Sequence, residues 1–243
     1  MTNQTSPHII SAQHITFRYP DGRLALHDIS FDIAPQEKVA IIGANGSGKS
    51  TLLLHLNGIL RPQNGIIAID GVPISDKTLQ HIRAWVGLVF QNPDDQLFSA
   101  YVYDDVAFAP RYLGLSESDV KTRVIHALKM VNMEGYSNRV SHHLSVGEKK
   151  RIALATILTT NACILALDEP SAGLDPRARR DLIRLLATFT EQTLLICTHD
   201  IRLVADLCTR AIILDEGKLV ADGATETIVY DQSLMEQHGL EVP

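Results

Sequence analysis

The chain has 243 residues, of which 45% are hydrophobic and 21% charged, with a formal net charge of −6. That length buries a sizeable core as one large domain or two small ones, and the acidic balance argues against a protein that wraps nucleic-acid phosphates in a basic surface. No window approaches the roughly 18 to 20 apolar residues of a membrane-spanning helix, and the opening "MTNQTSPHII" lacks the basic-then-apolar order of a leader, so a cytoplasmic chain is expected.

From residue 9 the chain reads as short strands. "IISAQHITFRY" and "ALHDISFDI" are separated by the turn "PDGR", and after "APQE" comes the apolar "KVAIIG", an antiparallel sheet feeding one buried strand. "SGKSTLLLHLNGIL" then carries helical apolar spacing at Leu53, Leu56, Ile59 and Leu60, stopped by Pro62 and Gly65. "IIAIDG" and "VGLVFQ" read as strands. In "FQNPDDQLFS", Pro93 breaks regular structure, Asp94 and Asp95 seek water, and Leu97 and Phe98 seek burial, so the stretch is expected to be a turn whose far end docks on something.

Between about residues 98 and 143 the pattern becomes helical and polar, with Val120, Val124, Leu128 and Val131 at helical spacing, which marks a helical insertion between two α/β portions. A helix at "VGEKKRIALATILTT", a buried strand at "CILALDEP", a helix at "PRARRDLIRLLATFT" and a buried strand at "TLLICTHD" follow. Such alternation implies a parallel sheet. The strand pair "RAIILDEGKLVADG" and a short helix finish the chain, and Cys163, Cys197 and Cys208, without CxxC spacing, read as packed thiols of a reducing compartment.

Gly43, Ala44, Asn45, Gly46, Ser47, Gly48, Lys49 and Ser50 match GxxxxGK[ST] between an expected strand and an expected helix, with Thr51 next. In that setting glycine lets backbone N–H groups turn inward on a triphosphate, Lys49 reaches the β- and γ-phosphates, and Ser50 can hold Mg²⁺. Asp168 and Glu169 end an apolar strand; the first is assigned to the metal and the second to the base that polarises the attacking water. His199 ends another buried strand, on the same sheet edge, where it can hydrogen-bond the γ-phosphate.

These motifs, in this order, resemble the nucleotide-binding subunit of an ATP-binding cassette (ABC) transporter over nearly the whole chain. "LSVGEKKR", with Ser145, Val146, Gly147 and Glu148, resembles the signature motif; Ser171, Ala172, Gly173, Leu174 and Asp175 resemble the D-loop; Gln91 matches the Q-loop, and Tyr19 the aromatic that stacks on adenine. The resemblance implies a single domain over residues 8–240, with a P-loop NTPase (RecA-like) parallel-sheet core, an N-terminal antiparallel β-subdomain and a helical subdomain near residues 92–160. It implies ATP with Mg²⁺ as cofactors, Gln91 sensing the metal beside Ser50 and Asp168, and a head-to-tail dimer in which the signature acts across the interface. A β-branched Val146, where the family has glycine, would be strained if the position demands positive φ.

"FQNPDDQLFS", "VYDDVAFAP" and "LSVGEKKRIALA" resemble more narrowly the ATPases of energy-coupling factor (ECF) importers, and "HHLSVGEKKR", "DLCTRAIILDEG" and "MEQHGLEVP" look most like their cobalt and nickel members. A homodimer, or a heterodimer with a similar ATPase, is thereby expected at the cytoplasmic face of the membrane with a transmembrane coupling subunit and a substrate-binding subunit. Asp94, Asp95, Leu97 and Phe98 would lie at the lip of the partner groove. A vitamin cargo such as biotin, riboflavin or folate is the alternative, and a soluble ABC ATPase of repair or translation a more distant one.

Overall fold

The computed structural model describes residues 8–160 and 162–243; residues 1–7, part of the opening read above as lacking a leader, and residue 161 lie outside the described residues. The chain begins with β1 (Ile10–Arg18), β2 (Leu24–Ile33) and β3 (Lys38–Ile42), then α1 (Lys49–Leu56). After β4 (Asn64–Ile69) and β5 (Val72–Pro73) come α2 (Leu79–Trp85), β6 (Val86–Val89), α3 (Val102–Tyr112), α4 (Glu117–Met130) and α5 (Val146–Leu158). The rest comprises β7 (Ile164–Asp168), α6 (Pro176–Ala187), β8 (Thr193–Cys197), α7 (Ile201–Leu207), β9 (Arg210–Asp215), β10 (Lys218–Ala224), α8 (Thr225–Val229) and α9 (Gln232–Gln237).

Two sheets result. The first is antiparallel, ordered β2-β1-β4-β5, and the second runs β10-β9-β3-β8-β7-β6, parallel throughout except for β10 against β9. Every residue of β7 and β8 is buried, as a parallel strand covered on both faces requires. Alternation divides β3 between two cores: Val39 and Ile41 face β1, β2 and α1, while Ala40 and Ile42 join the core formed with the helices of the other side. Consequently β3, β7 and β8 deliver their carboxyl ends to one edge of the sheet.

Three details depart from the sequence reading. Helix α1 ends at Leu56, because Asn57 caps it and Gly58 turns at φ 69°, so Ile59 and Leu60 are not on the helix and Ile59 lies exposed. Helices α2 and α7 were not expected, being short and followed directly or closely by a strand. Finally, Leu97 and Phe98 part company: Leu97 is 2% exposed in the core, whereas Phe98 is 62% exposed. Only Phe98 of that pair is open to solvent; Leu97 is the anchor of its own loop.

Candidate active site

The turn from Gly43 to Gly48 joins β3 to α1. A Cβ at Gly43 would lie 2.2 Å from the Leu214 carbonyl oxygen, and one at Gly48, where φ is +109°, would lie 2.6 Å from that of Ala25. Both positions therefore need glycine for close packing of backbone on backbone. Lys49 is buried, and its ammonium donates to the carbonyls of Gly43 at 2.7 Å and Ala44 at 3.0 Å, folding back on the loop that it terminates. Ser47 Oγ is buried with no partner among the described residues. Gly46, Lys49, Ser50, Gln91, Glu169 and His199 line one cavity of about 280 Å³, so residues far apart in the chain meet there.

At the end of β7, Asp168 Oδ1 is likewise buried without a partner among the described residues. Burial pushes the Asp168 carboxyl up, partly offset by the Ser50 hydroxyl beside it. The next residue, Glu169, stands at φ 44°, in the left-handed region that few non-glycine residues occupy. Its N–H donates to the Cys197 carbonyl at 2.8 Å, and its carboxylate accepts from Thr198 Oγ1 at 3.0 Å and from the His199 N–H at 3.1 Å. His199 Nδ1 lies 2.8 Å from the same carboxylate, which leaves Nε2 as the ring nitrogen for other contacts.

Tyr19, expected at the adenine, is half-buried; its hydroxyl lies 3.0 Å from Thr51 Oγ1 and its ring 4.8 Å from the Arg23 guanidinium carbon. Arg23 also lines the cavity. Ser145 is the N-cap of α5 in a capping box with Glu148, whose carboxylate also accepts from the Tyr136 hydroxyl at 2.6 Å. That hydroxyl and the Ser145 donors hold the Glu148 carboxyl below its usual range. Val146 is the first residue of α5 and is absent from the positive-φ positions, so the expected strain does not arise. Ser145 and Gly147 do not line the 280 Å³ cavity; a Cβ at Gly147 would lie 3.6 Å from Leu174 of the D-loop and 3.7 Å from Ala178 of α6.

Asp175 caps α6, accepting from the N–H groups of Arg177 and Ala178, and Ser171 Oγ donates to Asp200 at 2.9 Å. Asp200 and its bidentate partner Arg179 were missed in the sequence, as was Lys150. Lys150 falls with Ala153, Leu154 and Ile157 on the buried face of α5, a spacing that could have singled it out from Lys149. Lys149 pairs with Asp94 at 2.7 Å. In the FQNPDDQLFS stretch, Asn92 caps a turn of 3₁₀ helix over Pro93–Asp95, and the Gln96 amide donates to Ala153 O and Thr156 Oγ1 on α5.

A model of the ABC transporter family matches residues 26–172. The chain is 46% identical over 239 residues to the energy-coupling factor transporter ATP-binding protein EcfA of Methanothermobacter thermautotrophicus, covering 97% of this chain and 77% of that one. Among solved structures, cbiO1 from Clostridium perfringens, described as part of the ABC transporter complex cbiONQ, is similar with a TM-score of 0.85 at 38% identity, over 96% of this chain and 94% of that one. The ATP-binding cassette MJ0796, a dimer in a post-hydrolysis state bound to ADP and Pi, gives a TM-score of 0.81 at 26% identity, over 89% of this chain and 98% of that one.

Proposed function

Because the chain belongs to the ABC transporter family and is one of its ATPases, we propose that it hydrolyses ATP for an importer of the energy-coupling factor type. The observation that carries the site assignment is Asp168 Oδ1, buried and unpartnered beside Ser50 at the end of β7. A carboxylate oxygen left so is costly, and a cation between it and Ser50 removes the cost. Ser50 and Asp168, with Gln91 at the rim, are the residues that would hold Mg²⁺, which when bound neutralises charge on the β- and γ-phosphates.

The chain's own groups divide the remaining work. The turn from Gly43 to Gly48 offers backbone N–H groups to the phosphates, and Lys49 gives up the loop carbonyls to reach them. Glu169 takes the proton of the attacking water as the γ-phosphoryl group leaves ADP, and His199 holds that carboxylate in place. Tyr19 packs on adenine. Ser145 and Gly147 serve the ATP of a second copy across a head-to-tail dimer, and the D-loop crosses with them.

The proposed assembly sits at the cytoplasmic face of a membrane, with a coupling subunit docked against Asp95 and Phe98 and a substrate-binding subunit that captures cobalt or nickel ions. Two experiments test this. Glu169→Gln is expected to bind ATP and trap a dimer on gel filtration; a monomer with ATP and Mg²⁺ would overturn Glu169 as the base. Affinity purification from membranes in mild detergent is expected to recover polytopic partners with enriched cobalt or nickel, whereas a co-purifying vitamin would replace the cargo and a soluble lone species would overturn the importer.

A further inference from the structure

Charged side chains are seldom buried unless paired. Lys150 is 4% exposed and, among the described residues, forms no salt bridge, although the Glu169 and Asp168 carboxylates favour its charged form against burial. Its ammonium instead donates to two main-chain carbonyls, that of Glu169 at 2.8 Å and that of Gln91 at 3.3 Å. One side chain on α5 thus reaches the backbone of the base and of the Q-loop at once. The Glu169 conformation it touches, with φ 44°, persists only where the surroundings over-determine it.

The other restraints on Glu169 come from two directions. Cys197, Thr198 and His199 hold its N–H and its carboxylate from the β8 side. Its carbonyl accepts from the Ala172 N–H at 3.1 Å, within the D-loop, and from Lys150. Lys150 is the side chain that reaches this peptide from α5, the helix that Ser145 caps and Val146 begins. We propose that Lys150 is a positioning residue for Glu169, through which the signature helix and the Q-loop of one chain set the orientation of that chain's catalytic carboxylate.

The inference rests on the proposed role of Glu169 and has a consequence for the dimer. The signature of one chain serves the ATP of its partner, while Glu169 serves the ATP of its own chain. Lys150 therefore ties one ATP site to the other through a single side chain.

The test is steady-state ATP turnover by the purified full chain as wild type, Lys150→Met, Lys150→Gln and Glu169→Gln. Lys150→Met keeps the stem and loses the donors; kcat is expected to fall about 10- to 100-fold, the cost of a slightly misplaced reacting group, with KM for ATP changed less than about twofold. Lys150→Gln, shorter but with two N–H donors, is expected to lie between Lys150→Met and wild type. In a Glu169→Gln background, Lys150→Met is expected to trap the ATP dimer as the parent does, since the binding surfaces are intact. A Lys150→Met rate within about twofold of wild type, a rise in KM that matches the fall in kcat, or a glutamine variant no better than methionine overturns the proposal. Should the methionine variant not fold, Lys150→Leu, which likewise lacks the donors, turning over at the full wild-type rate overturns it. Normal turnover by Glu169→Gln removes the base assignment itself, whereas an inactive Glu169→Gln beside a normal Lys150→Met removes only the role of Lys150.

Discussion

Gly48 and Val146 show how one backbone angle decides what a side chain costs. At Gly48 the φ of +109° and the Ala25 carbonyl, 2.6 Å from where a Cβ would stand, leave no room for a side chain. Gly48→Ala is therefore expected to lower stability by about 1 to 3 kcal/mol and to weaken ATP binding at least tenfold, read by urea unfolding and by titration with nucleotide. Val146 is the opposite case. It begins α5 and is 48% exposed, so reverting it to the family residue relieves nothing. Val146→Gly is expected to leave kcat within about twofold and stability within about 1 kcal/mol of wild type; a large gain in turnover would show that the valine side chain obstructs the phosphate.

Elements are tied here by two acids outside the proposed catalytic set, one buried and one half-buried. Asp105 on α3 is buried, and its carboxylate accepts from the N–H groups of Phe98 and Ser99, which close the Q-loop stretch, and from Ser141 Oγ, just before the signature. Removing it strands three donors, so Asp105→Ala is expected to cost about 2 to 4 kcal/mol in denaturant unfolding, with Asp105→Asn costing less. Asp200 does the same for the D-loop and α7. Burial pushes its carboxyl up, but the hydrogen bonds from Arg179, Leu203 and Ser171 outweigh that and hold it below the usual range. A depressed native pKa adds stability above the unfolded value, near pH 4, and loses it as pH falls through the native one. Arg179→Met is accordingly expected to be destabilised at pH 7, by an amount that shrinks below about pH 4 in unfolding curves. Such ties explain what the sequence withheld. The β7 and β8 runs and the phosphate-loop glycines were legible because burial on both faces and a fixed local turn write themselves into neighbouring residues. The roles of Asp105 and Asp200 were not, and for Lys150 helical spacing could mark only a buried position, because a charged residue acquires its role from backbone or side-chain groups brought near only by the fold.

For the whole molecule, the decisive contrast is between the edge of the parallel sheet that gathers the ATP residues and the apolar rim on α3. Phe98 and Phe108 meet edge to face at 5.0 Å, Phe108 and Tyr112 lie parallel at 6.5 Å, and all three are exposed. Phe98, Phe108 and Asp95 border a groove of about 510 Å³, with Arg83 on the α2 side. Aromatic side chains around a groove suit an amphipathic partner helix, and Asp95 beside them suits a basic residue on it. Asp94 is less suitable for a test of docking, since its pairing with Lys149 reaches the signature helix directly. Phe108 does not line the cavity that joins the phosphate loop, Glu169 and His199. Phe108→Asp is therefore expected to keep the ATPase rate of the isolated chain within about twofold while lowering recovery with polytopic membrane proteins at least tenfold, because a carboxylate there must be desolvated on docking. The outcome that would sink the docking face is the reverse, with membrane partners retained and the intrinsic rate lost, since the rim would then act on the chain's own site.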